Sequence, residues 1–220
     1  MSLQIRKTVK RWLAAVIYRL YHYKILPERI HVHSVEETLD ILLTTEKSMV
    51  RFGDGEIVVV SGRNIPTQAG NEKIAEGLKR ILAYSHEDLI VTLPDIFENL
   101  EIYVPRSQDF WKDHLLFFRY VYHTFCNPDK VYYNTSITRG YITYADKSES
   151  ESTFRRFREV WRGRKVVVVE GCTTHNGVGN DLLDSAESVE RIICPGKNAY
   201  YALDRILEEC LRYEKDRLFL

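Results

Sequence analysis

The sequence lacks a surplus of either charge. It contains 31 lysine and arginine residues against 31 aspartate and glutamate residues, so its formal net charge is zero. A protein that binds nucleic acid through the phosphate backbone needs an excess of cations, so this balance argues against a general nucleic-acid-binding protein. The balance is uneven along the chain, because residues 1–30 carry a net charge of +6 and residues 31–220 carry −6. A basic N-terminal segment therefore precedes a mildly acidic body.

Paired cysteines and long hydrophobic runs are also missing. The four cysteines form no Cys-x-x-Cys pair, which disfavours a zinc ribbon. Scattered thiols in a chain without a secretory signal are typical of a reduced, cytoplasmic protein. The longest apolar run near the start, Trp12–Tyr18, is far shorter than the roughly 20 residues that a membrane-spanning helix needs. No small-residue cleavage site follows this run, so a signal peptide is not expected.

What is present indicates an α/β protein. The chain has 220 residues, of which 45% are hydrophobic, and this is enough to bury a core and to exclude wholesale disorder. Predicted strands alternate with predicted helices, an order that predicts a mostly parallel sheet with helices on both faces. Such sheets bind ligands at the carboxyl ends of their strands. The predicted strands are Ser48–Phe52, Leu89–Leu93, Val131–Thr135, Lys165–Val169, Arg191–Cys194 and one that starts at Arg217.

Helix starts are indicated by capping residues and by apolar spacing. Ser34-x-x-Glu37 is a capping box, in which each side chain accepts a hydrogen bond from the other residue's backbone, and it predicts a helix to about Glu46. The other predicted helices begin near Asn71, Phe110, Ser150, Asp181 and Ala199.

We assign residues 31–220 to one domain, since no repeat or low-complexity stretch divides them.

The N-terminal segment, residues 1–30, is predicted to be a basic amphipathic helix. Its apolar residues recur at helical spacing and share one face, while lysines and arginines point elsewhere. Two interpretations remain open: a helix that packs on its own domain or on a second subunit, and a helix that lies on an anionic membrane surface. The apolar residues are Ile5, Val9, Trp12, Leu13, Val16, Ile17 and Leu20.

A pair of carboxylates, Asp54 and Glu56, follows the strand Ser48–Phe52 within the segment Arg51-Phe-Gly-Asp-Gly-Glu56. Two hard oxygen ligands on a glycine-containing turn suit Mg²⁺ or Mn²⁺ bound jointly with a substrate phosphate. The alternative is a β-hairpin, because Asp54-Gly55 is a favoured two-residue hairpin turn, with Met49–Phe52 and Ile57–Val60 as its strands. A hairpin gives no reason for an acid at Glu56 among apolar residues.

A glycine-rich loop, Glu170–Asp181, follows the strand Lys165–Val169. Gly177 and Gly179 can present backbone N–H groups to an anion, and a helix starting near Asp181 would add its positive dipole end. The loop is neither a dinucleotide fingerprint nor a Walker loop, because it lacks the third glycine and any Gly-Lys-Ser/Thr. The alternative is an ordinary turn in which Asn180 or Asp181 caps the helix.

A third polar segment, Tyr133-Asn-Thr-Ser-Ile-Thr-Arg-Gly140, follows the strand Val131–Thr135. Its hydroxyls, its amide and the guanidinium of Arg139 suit the hydroxyls of a sugar and the charge of a diphosphate. The alternative interpretation is a polar turn without a ligand.

Taken together, these segments resemble the GT-D type glycosyltransferase domain of bacteria. The ordered series is more specific than any one motif, and it covers roughly residues 34–220. The matching pieces are Arg51–Glu56, Pro94-Asp-Ile-Phe97, Tyr133-Asn134 with Arg139, Glu170-Gly171, Gly177-Val-Gly-Asn-Asp-Leu182, Ser188, Arg191 and Cys194-Pro-x-Lys-Asn-Ala199.

The resemblance implies a Rossmann-like fold and a metal-dependent transfer of a hexose from a nucleotide-diphosphate sugar of the UDP-glucose class. The acceptor would be a cell-surface glycan or glycoprotein, and the enzyme would be cytoplasmic or peripheral at the inner face of the membrane. Asp54 and Glu56 would be catalytic and would hold Mn²⁺ or Mg²⁺. The residues implied for nucleotide-sugar binding are Arg51, Gly53, Gln68, Arg139, Glu170, Gly177, Gly179, Asn180 and Asp181.

Two departures from the family pattern keep other functions open. Thr174-His175 stands where the family carries Ser-Arg or Thr-Arg, so an imidazole replaces a permanent cation. The family also continues past the strand at Arg217 with an acidic segment that this sequence lacks. That difference motivates the alternative of a non-catalytic module that binds a nucleotide sugar or a partner. A methyltransferase that reads Glu170 as its ribose-binding acid is a third hypothesis, which the glycine spacing fits poorly.

Overall fold

A computed structural model describes residues 3–220, with side chains from residue 5 onward, as alternating helices and strands. The helices are α1 (Leu3–His22), α2 (Val35–Thr44), α3 (Asp54–Val60), α4 (Glu72–Ala83), α5 (Pro105–Phe125), α6 (Gly140–Thr143), α7 (Ser150–Arg158) and α8 (Leu203–Cys210). The strands are β1 (His31–Val32), β2 (Ser48–Arg51), β3 (Leu89–Leu93), β4 (Val131–Asn134), β5 (Lys165–Gly171), β6 (Ser188–Cys194) and β7 (Leu218–Phe219). Short 3₁₀ helices span Thr135–Thr138, Glu159–Trp161 and Ala199–Ala202.

All strand pairs within residues 3–220 are parallel, as the α/β pattern predicts. The strands form two sheets, one with the order β1-β4-β3-β2 and one with the order β6-β5-β7. The prediction of a parallel α/β fold is therefore confirmed, with the strands divided between two sheets. No helix in residues 3–220 is both long and apolar enough to cross a membrane.

Strand β5 shows why both faces of its sheet are covered. Val166 and Val168 point to one face and pack with Trp161 and Leu183, which lie before and after the strand in sequence. Val167 points to the other face and joins a cluster that includes residues of β6 and α8. Because successive side chains of a strand alternate between faces, a run of buried valines requires cover on both sides.

Local sequence signals predicted the starts of helices α2 and α4 correctly. The Ser34 side chain accepts a hydrogen bond from the backbone N–H of Glu37 at 3.1 Å, and the Glu37 carboxylate accepts one from the backbone N–H of Ser34 at 2.8 Å, which completes the predicted capping box of α2. Asn71 caps α4 by accepting from the N–H of Ile74 at 3.0 Å. Helix α5 begins at Pro105, five residues before the predicted start, because proline is well suited to the first turn of a helix.

The helix predicted from Asp181 does not form, and this prediction was wrong. Residues 181–187 are turns and bends that lead directly into β6. Side chains here take other partners: Asn180 accepts from the backbone N–H of Leu182 at 3.0 Å, and Asp181 pairs with Arg158, 23 residues earlier, at 2.7 Å. Asparagine and aspartate compete with helical hydrogen bonding in this way.

Helix α1 packs along α5 of its own domain. Lys10 forms an ion pair with Asp113 at 2.7 Å, and Arg11 forms one with Asp109 at 2.5 Å. Further along the helix, the hydroxyl of Tyr18 accepts from the backbone N–H of Leu100 at 3.0 Å. Intramolecular packing, one of the two open interpretations of this segment, is thus observed for α1. Residues 1 and 2 of the predicted segment lie outside the described residues.

A buried ion cluster fixes the chain after α1 to α5. Glu28 accepts hydrogen bonds from Arg119 and, at 2.9 Å, from His123. The Arg119 guanidinium also lies 3.7 Å from the ring centre of Tyr21. Burial opposes ionisation of Glu28, but His123, Arg119 and two backbone N–H groups outweigh it and lower the pKa of the carboxyl. Arg119 is 7% exposed, so it depends on Glu28 for a counter-charge.

We therefore predict that Glu28→Gln lowers the free energy of unfolding at neutral pH by about 3 kcal/mol, because it leaves the buried Arg119 charge unpaired. Because the pKa of Glu28 is lowered in the folded state, its contribution is present above the unfolded pKa and is lost as pH falls through the folded pKa. The difference between wild type and variant should shrink in acid, as measured by urea unfolding at several pH values.

The matched control is Glu151→Gln, which breaks the exposed ion pair between Glu151 and Arg155. An exposed pair contributes about 0.5 kcal/mol or less. Equal losses for the Glu28 and Glu151 variants would contradict the assigned role of the buried cluster.

Candidate active site

The first sheet brings three polar segments to one edge. Arg51 of β2 pairs in register with Thr92 of β3, and Thr92 pairs with Tyr133 of β4. Since these strands are parallel, the residues that follow them leave the sheet at the same carboxyl edge. That edge therefore receives the segment after β2 with Asp54, the segment after β3 with Asp95 and the segment after β4.

The acidic pair lies on the first turn of α3, not in a hairpin. Residues 54–60 are helical, so the β-hairpin alternative is wrong. The structural cause is Glu56, whose carboxylate accepts a hydrogen bond from the backbone N–H of Gly53 at 2.7 Å and so caps the helix start. Ile57, Val59 and Val60 bury the other side of this short helix. Glu56, the acid among apolar residues, therefore caps the helix, and this role does not exclude the binding of a ligand.

These two carboxylates suit a divalent cation that is shared with a phosphate. Asp54 is exposed and makes no side-chain hydrogen bond or ion pair within residues 3–220, and Glu56 uses one of its oxygens on Gly53. The described residues contain no cluster of three or more His, Cys, Asp or Glu side chains that could hold a metal by itself. Mg²⁺ in particular is often bound through one or two carboxylates, with water and substrate phosphates as its other ligands. The residues present fit a cation of that kind.

Two arginines accompany the acidic pair. Loss of solvation lowers the pKa of Arg51, the negative charge of Glu56 raises it, and the positive charge of Arg139 lowers it again. Arg51, Glu56 and Arg139 therefore lie close enough to influence one another. Two guanidinium groups beside a carboxylate form an environment that can hold a phosphate together with a cation.

Helix α5 places a neutral histidine behind α3. His114 is buried, and its Nε2 lies 3.1 Å from the hydroxyl of Tyr122. Burial lowers the pKa of His114 to about 4, although the negative charge of Asp54 raises it. Burial also raises the pKa of Tyr122, and the charges of Asp54 and Glu56 add to that effect. The uncharged pair of His114 and Tyr122 therefore lies within electrostatic reach of the acidic pair.

Asp95 follows β3 at the same edge of the sheet, and the sequence alone predicted no role for it. Its carboxylate accepts hydrogen bonds from the hydroxyl of Tyr103 and, at 2.6 Å, from that of Tyr144. Burial, reinforced by the charge of Asp95, raises the pKa of both tyrosines, so they remain donors. Asn134 approaches the Tyr144 hydroxyl at 3.3 Å. The available signal was an acid directly after Pro94 at the end of a buried strand.

Two cavities lie beside this cluster. The larger, of about 460 Å³, is lined by Ser136 and Tyr144 and by apolar side chains that include Ile137 and Phe154. The smaller, of about 240 Å³, is lined by Asp95 together with residues around β1. Neither cavity is lined by Asp54 or Glu56. The larger cavity has the size of a small-molecule site.

In the glycine-rich loop, Glu170 is already engaged by the protein. Its carboxylate accepts from the backbone N–H of Asn176 at 2.9 Å and from the guanidinium of Arg191, which also donates to the carbonyl of Asn176 at 2.6 Å. The Asn176 hydrogen bond is the main cause that lowers the pKa of Glu170, and Arg191 adds to it. These contacts of the buried Glu170 fold the loop back against β6.

The tip of the same loop keeps donors available. Gly177 and Gly179 have φ angles of +76° and +74°, which favour glycine. Within the described residues, the backbone N–H groups of Gly177, Gly179 and Asn180 donate to no acceptor. Asp181 is held by Arg158. Neighbouring N–H groups in a left-handed turn can form a small anion-binding concavity.

Gln68 lies in the segment after α3 that contacts the loop after β6. It bridges to Ile65 through paired backbone hydrogen bonds of 3.0 and 3.2 Å. The backbone N–H of Asn198 donates to Thr67 at 2.8 Å, and its side chain accepts from Ala69 at 2.7 Å. The loop after β6 thus touches the segment that follows α3. No hydrogen bond or ion pair between described residues joins Asp54 or Glu56 directly to Gly177–Asp181.

The structure is a parallel α/β protein, a class whose ligands commonly bind at the carboxyl ends of the strands, where helix starts can bind anions. The family model described as the glycosyltransferase GT-D fold matches residues 49–220. The chain belongs to this GT-D family.

Two curated relatives come from streptococci. Glycosyltransferase GlyD of Streptococcus pneumoniae serotype 4 is 38% identical over 192 residues, which are 87% of this chain and 24% of the relative. The probable glycosyl transferase Gly of Streptococcus gordonii is 39% identical over 193 residues, 87% of this chain and 28% of the relative. This chain therefore spans about a quarter of the length of the curated relatives it matches.

Solved structures show the same fold. A glycosyltransferase (DUF1792) from Streptococcus sanguinis is 40% identical, with a TM-score of 0.83 over 86% of this chain and 71% of the other. Another solved structure, of the highly conserved domain of unknown function 1792 with a distinct glycosyltransferase fold, is 39% identical. Its TM-score is 0.84 over 95% of this chain and 72% of the other.

The two glycines of the loop give a matched test of its geometry. A Cβ added to Gly177 would lie 2.8 Å from the side chain of Leu183, whereas one added to Gly179 would meet nothing within 4 Å. We predict that Gly179→Ala lowers the free energy of unfolding by about 1 kcal/mol, from its positive φ alone. Gly177→Ala should lower it by about 3 kcal/mol, because steric overlap is added. Chemical denaturation of both variants measures the difference, and equal losses would contradict the packing described for Gly177.

Proposed function

We propose that the chain is the donor-binding domain of a metal-dependent glycosyltransferase, which transfers a hexose from a nucleotide-diphosphate sugar of the UDP-glucose class. The acceptor is a glycan or glycoprotein of the cell surface. The observation that carries the proposal is the acidic pair at the start of α3, with carboxylate oxygens left free beside Arg51 at the carboxyl edge of the sheet. Family membership supports the reaction class.

Asp54 and Glu56 would hold Mn²⁺ or Mg²⁺. When bound, the cation would neutralise the negative charge that develops on the departing diphosphate. Glu56 can take part with its second oxygen while it continues to cap Gly53. Asp54 carries no competing partner among the described residues, so its carboxylate is free to turn toward a ligand.

The arginines and the glycine loop would bind the rest of the donor. Arg51 and Arg139 place positive charge beside the acidic pair, where a diphosphate needs it. The unused N–H groups of Gly177, Gly179 and Asn180 suit a phosphate or the polar edge of the nucleotide. Glu170 acts indirectly in this proposal, because its bonds to Asn176 and Arg191 set the shape of the loop.

The Asp95 cluster and its cavity offer a place for the hexose. Carboxylates and tyrosine hydroxyls suit sugar hydroxyls, and Ser136 and Tyr144 line the larger cavity. In the reaction, the bond between the anomeric carbon and the diphosphate oxygen breaks, and a bond to an acceptor hydroxyl oxygen forms. The acceptor proton leaves with solvent or a base, and the nucleoside diphosphate is released.

The test is donor binding measured by calorimetry with and without Mn²⁺. We predict that Asp54→Asn and Glu56→Gln each weaken Mn²⁺-dependent binding of UDP by tenfold or more, a loss of about 1.4 kcal/mol. Glu56→Gln is informative because glutamine also serves in a capping box and keeps the hydrogen bond to Gly53. Thermal unfolding of both variants should stay near that of wild type.

Asp129→Asn is the matched control. Asp129 is exposed and precedes β4, so it lies at the opposite edge of the sheet. Its neutralisation should leave binding unchanged. Equal, metal-independent binding by wild type and the Asp54 variant would refute the metal site. Hydrolysis or transfer of labelled glucose from UDP-glucose by the 220-residue chain would support catalysis, and donor binding without turnover would favour the non-catalytic module.

A further inference from the structure

Helix α1 packs on the domain with the face opposite to the exposed part of its apolar stripe. Ala14 and Tyr18 are buried, and the same side carries Lys10 with its ion pair to Asp113. The exposed part of the stripe lies on the other side: Val9, Trp12 and Leu13 are 44%, 63% and 41% exposed. At 100° per residue, the centres of these two faces are about half a turn apart. Val16, Ile17 and Leu20 are half-buried, so intramolecular packing covers part of the stripe but leaves Val9, Trp12 and Leu13 uncovered.

The charges on α1 are arranged around this stripe. Arg6 and Arg19 lie at its two edges by helical position, and neither makes an ion pair within residues 3–220. Lys10 and Arg11, by contrast, are neutralised by acids of α5. Residues 3–22 contain no aspartate or glutamate. The exposed face is thus apolar at its centre and positive at its edges, with no acid of its own.

We propose that this face of α1, with Val9, Trp12 and Leu13 at its centre and Arg6 and Arg19 at its edges, binds an anionic lipid surface. A helix with an apolar face and flanking cations can lie flat in the interface, with its apolar side chains among the acyl chains and its cations near the head groups. Tryptophan favours this zone, because it combines a large apolar ring with a polar N–H group. The proposal does not depend on the glycosyltransferase assignment.

Charge complementarity distinguishes this occupant from a second copy of the chain. In a symmetric contact between two α1 helices, the exposed arginines of one copy would lie close to those of the other. The helix contains no acid that could pair with them. Like charges at such a contact destabilise it. An anionic membrane supplies the missing counter-charge along the whole face, in the way that cytoplasmic leaflets attract basic segments.

The docking of α1 also prepares it for such a surface. Its ion pairs to α5 and the buried Tyr18 hydroxyl hold the helix in place, so the exposed side chains are already on one face before binding. A helix that is already formed loses less conformational entropy when it associates with a surface. The 20 residues of α1 span about 30 Å at 1.5 Å per residue, which allows several contacts with one surface.

The test is flotation of the 220-residue chain with phosphatidylcholine vesicles that do or do not contain phosphatidylglycerol. We expect binding to the anionic vesicles only, with a steep decrease as salt is raised. Arg6→Gln and Arg19→Gln should each reduce partitioning by about fivefold, the effect of roughly 1 kcal/mol for one cation near an anionic surface. Trp12→Ser should reduce it at both low and high salt.

Matched controls use Lys215→Gln and Leu211→Ser, since both residues are exposed and far from α1 in sequence. These variants should bind vesicles like wild type, and all variants should keep the wild-type melting temperature. Absence of binding to anionic vesicles, or equal binding by the α1 variants and wild type, would overturn the proposal. A lipid-independent dimer that Trp12→Ser dissociates would also overturn it and would assign the face to a second copy.

Discussion

The parallel direction of the strands is the constraint on which the site depends. Because β2, β3 and β4 run the same way and pair in register, the segments after Arg51, Thr92 and Tyr133 emerge at one edge, although about 80 residues of sequence separate the first from the last. Parallel strands also require crossover helices, and these helices bury both faces of the sheets. The polar groups are therefore concentrated at the strand ends, where backbone and side chains remain accessible to a ligand.

The sequence predicted those elements whose signals are local. The capping box at Ser34, the helix that starts near Asn71 and the strand Lys165–Val169 each depend on a few neighbouring residues, and each prediction is confirmed. The helix predicted near Asp181 does not form, because Asn180 accepts from the Leu182 backbone in a turn and Arg158, which is distant in sequence, binds the Asp181 carboxylate. The hairpin alternative failed for a more local reason, since Glu56 reaches back to Gly53 and starts a helix instead.

The role of Asp95 and the packing face of α1 could not be predicted from the sequence, because both depend on contacts that form only in the folded chain. Asp95 is a single acid in the sequence, and its importance comes from the hydroxyls of Tyr103 and Tyr144, which the fold brings to it. The apolar stripe of α1 was visible in the sequence, but the pattern alone could not show which face would pack. Asp109 and Asp113 on α5 decide that question by attracting the cations on the other side of the helix.

The partners of each acid decide which carboxylates can hold a cation. Glu28 accepts hydrogen bonds from Arg119 and His123, and Glu170 accepts them from Arg191 and a backbone N–H group, so a metal would have to displace these hydrogen bonds at either. Asp95 would have to give up its tyrosine donors. Asp54 makes no competing contact among the described residues, and Glu56 keeps one oxygen free. Since paired charges that are shielded from water are expensive to separate, the start of α3, where carboxylate oxygens remain free, is the place that suits the proposed cation best.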